Sequence, residues 1–479
     1  MKREKKLVTV LVSVLLAAAL GLFGYWKYQD QFVRIGDVRY EKNAQEITLS
    51  AQLPEDLQTL RAFTALEKID LRGSGISVQE YEQVKQLLPQ TEILWDIPFQ
   101  GVAYPMETSG LTLEHLTLED LETLQYFTEL KTVSAENCPD YQVLHELRSR
   151  YPELQVTYSV PVAGENYSYD MAALKVPGEV ISGLMEILPY FTSLETVELV
   201  PPLAPVEEIL TLREAFPDVY FSWQLEIAGI AVNESTEILD LSGLPVTVEQ
   251  MDAVLPYLLN LTFVDMTDCG ISNEEMDALN RRYENVKIVW TVLLGSWYTI
   301  RTDATTFMPA KDNYYPKNDE LYNLRYCTDM IAIDVGHRRI TDIEFAAYMP
   351  HLQYLLMCET FVRDITPLTG LKELKFLELF LNSIYDLSPL VTLTGLEDLN
   401  LHFVEGDPEI IAQMTWLNTL WWGNVEERAL SLSQQNMLRE AIPDCKFNFG
   451  ATSSTGHGWR DLPNYFAQRD LFGLHYMKG

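Results

Sequence analysis

The sequence predicts an α/β solenoid, with parallel strands on a concave face, helices or turns on a convex face, and one transmembrane helix in front. Two observations predict it. After six residues the chain runs through 20 uncharged, mostly apolar residues, Leu7 to Trp26, and then repeats itself with two distinct periods over most of its 479 residues. The composition, 47% hydrophobic and 22% charged, lies near globular averages and supplies a sizeable core. The charge balance excludes one class of partner. With 35 Lys and Arg against 69 Asp and Glu the net charge is −34. A surface that acidic repels phosphate backbones, so nucleic acid is not expected as a partner.

Residues 1–6 form a basic tail, with Lys2, Arg3, Lys5 and Lys6 against Glu4. Residues 7–26 are the span. At 1.5 Å per residue they cover about 30 Å, the thickness of a bilayer's hydrocarbon core. Tyr25, Trp26 and Tyr28 fall where aromatic side chains prefer the interface. Under the positive-inside rule the tail stays in the cytoplasm and the bulk of the chain lies outside it, in the cell membrane as a single-pass protein. A cleaved signal peptide is the competing reading, with Ala17 and Ala19 resembling its small-residue site. Such a peptide has a shorter apolar core, about 7–15 residues, whereas here apolar residues continue past the alanines, which favours an uncleaved anchor. Residues 27–44 are read as a juxtamembrane linker.

Residues 45–300 hold four units of the longer period. Phe63 opens FTALEKIDLRGSGIS, Phe127 opens FTELKTVSAENCPD, Phe191 opens FTSLETVELVPPLA and Leu258 opens LLNLTFVDMTDCGIS, at spacings of 64, 64 and 67. Each block continues into a stretch with apolar residues at helical intervals and then a strand-like run. Trp95, Tyr158, Trp223 and Trp290 fall at matching offsets in these runs, so one aromatic per unit is expected to stack into a column. Another strand and helix precede each block, and the unit reads strand, helix, strand, helix, strand. Residues 301–328 are polar, aromatic-rich and non-periodic, and are read as joining this array to the next.

Residues 329–425 carry the shorter period. Ile333, Leu355, Leu377, Leu399 and Leu420 are spaced 22, 22, 22 and 21. In the copy LKFLELFLNSIYDLSPL, the residues Leu374, Leu377, Leu379, Asn382, Ile384 and Leu387 reproduce the pattern L-x-x-L-x-L-x-x-N-x-I-x-x-L. This resembles the leucine-rich repeat family, and the D-x-S-P-L and D-I-T-P-L endings resemble its bacterial, internalin-like 22-residue class. The longer units look like divergent members with a true helix on the outer side. The resemblance implies that no repeat buries its own leucines and that neighbours complete the core. It also implies a turn position filled by Asn or Cys; Asn382 occupies it once, Arg338, Thr360 and Val404 stand at the matching offsets, and Cys138 and Cys269 look like its remnants. Residues 426–479 are read as a C-terminal cap and tail covering the last repeat.

Little in the sequence points to chemistry. No zinc-type histidine spacing, metalloprotease helix, phosphate-cradling loop or nucleophile elbow occurs, so neither cofactor nor metal is expected and the chain is read as non-enzymatic. His145 with Glu146 is half a metalloprotease motif and is read as a solvated helix face. The five cysteines, odd in number and without CxxC, read as buried apolar fillers. His457, Arg460, Asp461 and Arg469 form the one polar cluster that invites an enzymatic alternative, a wall-polymer hydrolase. The rings interleaved with them, Trp459, Tyr465, Phe466, Phe472 and Tyr476, argue for a capping role instead.

One feature rises above a purely structural reading. Strand side chains alternate, so residues flanking the spine leucines face the concave surface. These include Asp334, Cys358, Asn400 and Thr419, and the proposed contact surface Tyr354, Leu356, Phe376, Glu378, Phe380, Asp398, His402 and Trp421. A stripe so rich in aromatic rings needs a cover. Either the aromatic C-terminal tail folds over it or a partner does, namely a protein, a peptide or an envelope polymer. Were the stripe open, Phe376 and Phe380 would be replaceable by Ser with little loss of stability. A purely structural envelope spacer is the other alternative.

Overall fold

A computed structural model describes residues 2–50, 53–456 and 458–474, and divides the chain into two units, Met1–Trp223 and Gln224–Gly479. His457, His475 and Tyr476 lie outside the described residues.

In the first unit, Lys2–Gln29 is one continuous helix. Its stretch Thr9–Gln29 is long and apolar enough to cross a membrane and leaves Leu11, Leu15, Leu16, Leu20, Phe23 and Trp26 exposed, while Tyr28 at its end meets Phe32 edge-on. Residues 27–44 are not the expected linker. Phe32–Ile35 and Val38–Glu41 pair as an antiparallel hairpin, because alternation buries Val33 and Ile35 and Gly36 takes the positive φ of the turn.

Beyond the hairpin, Glu46–Thr48, Lys68–Asp70 and Glu92–Leu94 pair in parallel. The return paths are a 3-10 turn, Leu57–Ala62, and the helix Val78–Leu87. That helix starts where it does because Ser77 Oγ accepts the Glu80 N–H while the Glu80 carboxylate accepts the Ser77 N–H and hydroxyl. The same order recurs with Gly110–Thr112, Thr132–Ala135 and Gln155–Val162, and with Ala173–Pro177, Thr196–Val200 and Tyr220–Ile227. Within each set of three the strands start 22 to 24 residues apart, near the period of the shorter array. The long period arises because a hairpin follows every third strand. Hairpins turn at Gly36, Gly101, Gly164, Gly229 and Gly295, 63 to 66 residues apart, and Gln100, Ala163 and Ala228 share the positive φ at three of them.

The column of aromatics is replaced by local pairings. Trp95 stacks flat on Tyr81 at 4.1 Å and meets Tyr126 edge-on, Tyr158 stacks on Tyr169 at 4.6 Å, and Trp290 tilts against Tyr326. Each ring is buried, but a repeat of over 60 residues sets its copies three parallel strands apart, too far to touch when strands are about 4.8 Å apart. His145 is not simply solvated either: its ring lies edge-on to Tyr190, with Nδ1 3.3 Å from the Tyr158 hydroxyl.

The second unit opens with the end of the strand Tyr220–Ile227 paired with Ile230–Asn233 as a hairpin, followed by Ile238–Asp240, Phe263–Asp265 and Lys287–Val289, backed by the helices Val248–Val254 and Asn273–Arg282. A hairpin follows, Thr291–Leu294 with Tyr298–Arg301. Then comes an uninterrupted parallel sheet of seven strands: Thr306–Phe307, Ala332–Asp334, Tyr354–Leu356, Phe376–Glu378, Asp398–Asn400, Thr419–Trp421 and Lys446–Asn448. It is longer than the array read from sequence at both ends. The segment 301–328 contributes the first strand and the helical pieces Asn318–Leu321 and Tyr322–Tyr326, and the segment 426–479 contributes the last strand and the helix Leu432–Ala441.

Ile333, Leu355, Leu377, Leu399 and Leu420 align in register and are fully buried, forming the spine. The D-x-[ST]-P-L motif now has a physical meaning. Asp364 and Asp386 accept the backbone N–H of Thr366 and Ser388, and Pro367 and Pro389 open the 3-10 turns Thr366–Leu368 and Ser388–Thr392. His337, Glu359, Leu381 and Phe403, 22 residues apart, all take positive φ where each strand leaves the sheet. Asn382 follows and ties two coils together. Its Nδ2 donates to Met357 O and Leu379 O, and its Oδ1 accepts the Thr360 N–H and hydroxyl. Cys269 does a weaker version of this, with Sγ 3.2 Å from Leu241 O. All five cysteines are free and buried.

Candidate functional site

The residues that flank the spine form a second apolar cluster on the opposite side of the same strands. Tyr354, Leu356, Phe376 and Trp421 meet there with Trp459, Tyr465 and Phe472, which come from the C-terminal tail. The tail leaves the last strand through 449–456, makes the turn Trp459–Asp461 and runs into the helix Pro463–Leu471. Trp459 is its anchor. The indole is fully buried, with its ring centre 5.0 Å from Phe376 and 5.5 Å from Trp421, and its Nε1–H donates to Glu378 Oε1 at 2.7 Å. Polar ties flank it: Asn400 Nδ2 donates to Ser454 O, Asn464 Nδ2 donates to Glu397 and Asp398, and His402 Nε2 lies 2.7 Å from Gly450 O. Since Gly450 O can only accept, that ring nitrogen carries the proton.

The eight predicted contact residues, Tyr354, Leu356, Phe376, Glu378, Phe380, Asp398, His402 and Trp421, are thus brought together on one face but are all buried. The open contact surface is corrected to a covered one, and of the two covers weighed from sequence the chain's own tail is the one in place. The reason is apolar area: four rings and a leucine on an open sheet are stabilised by any ring-bearing segment within reach. The expectation that Phe376 and Phe380 are replaceable by Ser is corrected with it, since both sit in packed surroundings. The tail does not cap the array's end. That place is taken by the last strand and by Phe447 and Phe449, stacked at 5.3 Å with Arg439 over Phe449. Asn464 and the loop at Gly450 were missed as parts of the site, and Trp459 was read only as one ring of the aromatic tail.

Burial governs the electrostatics. It raises the Glu378 carboxyl to about 7, with nearby Asp334 adding to the rise while the Trp459 bond and Arg460 oppose it. Asp334 and Asp398 are raised for the same reason, against hydrogen bonds from Gly336 and from Asn464 and Thr419. Burial lowers His402, keeping it neutral. A thiol–imidazole–carboxylate order also occurs at the edge of this face, where Cys358 Sγ lies 3.8 Å from His337 Nε2 and His337 Nδ1 lies 2.6 Å from Glu359 Oε2. It is not arranged for nucleophilic chemistry, because burial and the charges of Glu378 and Asp334 push the thiol far up, whereas a reactive cysteine needs an electropositive setting. Of the C-terminal polar cluster, Arg460 and Asp461 are exposed and Arg469 stands over the Tyr465 ring. What the arrangement does is hold a segment by aromatic packing and buried hydrogen bonds.

The class of protein follows from this geometry. A parallel strand every 22 residues, a buried leucine spine, a 3-10 return path and an asparagine tying neighbouring coils define a leucine-rich repeat fold. No protein-family model matches the sequence, and no curated protein does. Among solved structures it is similar to the internalin InlF of Listeria monocytogenes, at 14% identity over 86% of this chain and 89% of that one, with a TM-score of 0.25. It is also similar to internalin C2 of Listeria monocytogenes, at 18% identity over 47% of this chain and 87% of that one, with a TM-score of 0.24. A leucine-rich repeat protein of Leptospira interrogans matches at 16% identity over 84% of this chain and 93% of that one, with a TM-score of 0.24.

Proposed function

We propose that this chain is a membrane-anchored leucine-rich repeat protein that stands outside the cytoplasm and works by non-covalent capture, with its own tail as the resident occupant of the capturing face. The exposed apolar helix Thr9–Gln29 supports the anchor. The observation that carries the capture is Trp459, a ring from a segment about 80 residues downstream, seated between Phe376 and Trp421 with its N–H on a buried carboxylate. A buried aromatic held by packing and one buried hydrogen bond is the usual anatomy of a peptide hot spot. A partner segment carrying a similarly placed Trp would compete with the tail for the same residues, Tyr354, Phe376, Glu378, Asp398, His402 and Trp421.

The test is capture in trans. A chain ending at Gly450 is titrated with a synthetic peptide of residues 451–474, alongside the same peptide carrying Trp459→Ala. Saturable binding that is lost with the substituted peptide supports the reading. A truncated chain that stays folded and ignores the peptide makes the tail a fixed part of the fold and leaves the spacer as the better account.

A further inference from the structure

Between the strands and the docked tail lies a cavity of about 240 Å³. One wall is anionic: Asp334 and Glu378 share a register across Leu356, two strand spacings or about 10 Å apart. The facing wall belongs to the tail and presents Arg460 and Arg469. Glu378 is 3% exposed, its Oε1 holds the Trp459 indole, and its second oxygen has no protein donor among the described residues. No ion pair joins it to Arg460 among the described residues, although both line the same space. Buried carboxylates are normally paired. Here the opposite charge stands across an opening.

We propose that this cavity binds a free amino acid with an apolar side chain, its ammonium on Asp334 and Glu378, its carboxylate on Arg460, and its side chain against Phe380 and Tyr465. The volume falls below the ~300–1,000 Å³ of sites for larger ligands, which suits one residue and leaves no room for a peptide. A zwitterion meets Glu378 and Arg460 at once, which neither an amine nor a carboxylic acid does. In the empty site, burial holds a proton on Glu378 to about 7. The groups facing it are Asp334, His337 and Cys358 from neighbouring strands and Arg460 and Arg469 from the tail. An ammonium beside it favours the carboxylate, so binding near neutral pH releases a proton. The site exists only while the tail is docked, so the inference deepens the capture reading by giving the closed state a ligand of its own.

The full chain in detergent micelles is titrated calorimetrically with L-leucine and L-phenylalanine, in buffers of different ionisation enthalpy, and with phenethylamine and 3-phenylpropionate as half-ligands. The expected result is saturable binding of the amino acids with proton release, at least about tenfold tighter than either half-ligand. Glu378→Gln abolishes the proton release, and Arg460→Gln weakens binding by about tenfold. Arg460 is exposed, so that variant keeps its fold. No binding by either amino acid, equal binding of the amine, or full affinity in Arg460→Gln overturns the proposal. Amino-acid binding to the full chain with no peptide capture by the truncated one would uphold this site while removing the capture reading.

Discussion

The strand faces of the two units differ in what stands beside the spine. In the first unit the residues flanking Ile69, Val133 and Val197 are Lys68 and Asp70, Thr132 and Ser134, and Thr196 and Glu198, all reached by water. Around Leu377, Leu399 and Leu420 in the second unit they are Phe376 and Glu378, Asp398 and Asn400, and Thr419 and Trp421, all buried. The coil is nearly the same length in both. What changes is whether the outer positions of a three-residue strand carry polar tips or rings, and this decides whether the face stays open or recruits a cover. Once covered, its acids also lose water, so Glu378 and Asp398 titrate abnormally, while the threonines and serines of the open face keep solvent as a partner.

The largest expected break in that contrast is Phe376→Ala. Removing a fully buried ring from beneath Trp459 leaves a cavity and loosens the tail, with a stability loss in the second unit of about 3–5 kcal/mol. Denaturant unfolding followed by protease sensitivity of 449–456 reads both effects. Unchanged stability with a docked tail would show that the ring is not the tail's seat.

Asn382→Ala comes next. It strands Leu379 O and the Thr360 N–H inside the array and leaves Met357 O with only the Thr360 hydroxyl, and the expected loss is about 2–3 kcal/mol. The tail should remain docked, because Asn382 acts between coils and not on the concave face. Hydrogen exchange at Thr360 and Leu379 would localise the damage, and undocking of the tail would contradict it.

A smaller effect comes from pH. Glu378 is raised from 4.5 to about 7 by burial, so the docked state favours the protonated acid. Its contribution is complete below about 4.5, is lost as pH rises through about 7, and is constant above. His402 runs the other way, because its lowered value makes docking fall off as pH drops below 6.5. Comparing the wild type with Glu378→Gln separates them: between pH 6 and 8 the wild type should lose about tenfold more tail docking than the variant. Equal pH profiles in exchange protection of the helix Pro463–Leu471 would remove Glu378 as the titrating group.

Much of this was legible in the sequence, and the exceptions have physical causes. Leucines at 22-residue spacing report the spine directly, since one residue per coil must point inward. The hairpins were missed because Gln100–Gly101, Ala163–Gly164 and Ala228–Gly229 lack the Asn-Gly or Asp-Gly signature and place ordinary residues at positive φ. The glycines at 63-to-66-residue intervals were the available signal. The strand Thr306–Phe307 is two residues long and sets up no period, though Phe307 is buried. The eight concave residues could be named from alternation alone. Their cover was narrowed only to the tail or a partner, because Trp459 is read as a capping ring equally well whether it folds onto the array's end or across its face; only the pocket between Phe376 and Trp421 decides.

The smallest expected effect sharpens the comparison most. Thr132 and Ser134 occupy in the first unit the positions that Phe376 and Glu378 occupy in the second, one residue to either side of the spine. Their side chains lie at the water-facing side of the strand, so replacing both by Ala removes no buried ring and strands no buried polar group. The expected change is within about 0.5 kcal/mol, against several kcal/mol for Phe376→Ala at the same register. Differential scanning calorimetry of the double variant checks it. A loss above about 1 kcal/mol would mean that the first unit's strand face is also covered, and the distinction between an open polar face and a closed aromatic one would fail at its simpler end.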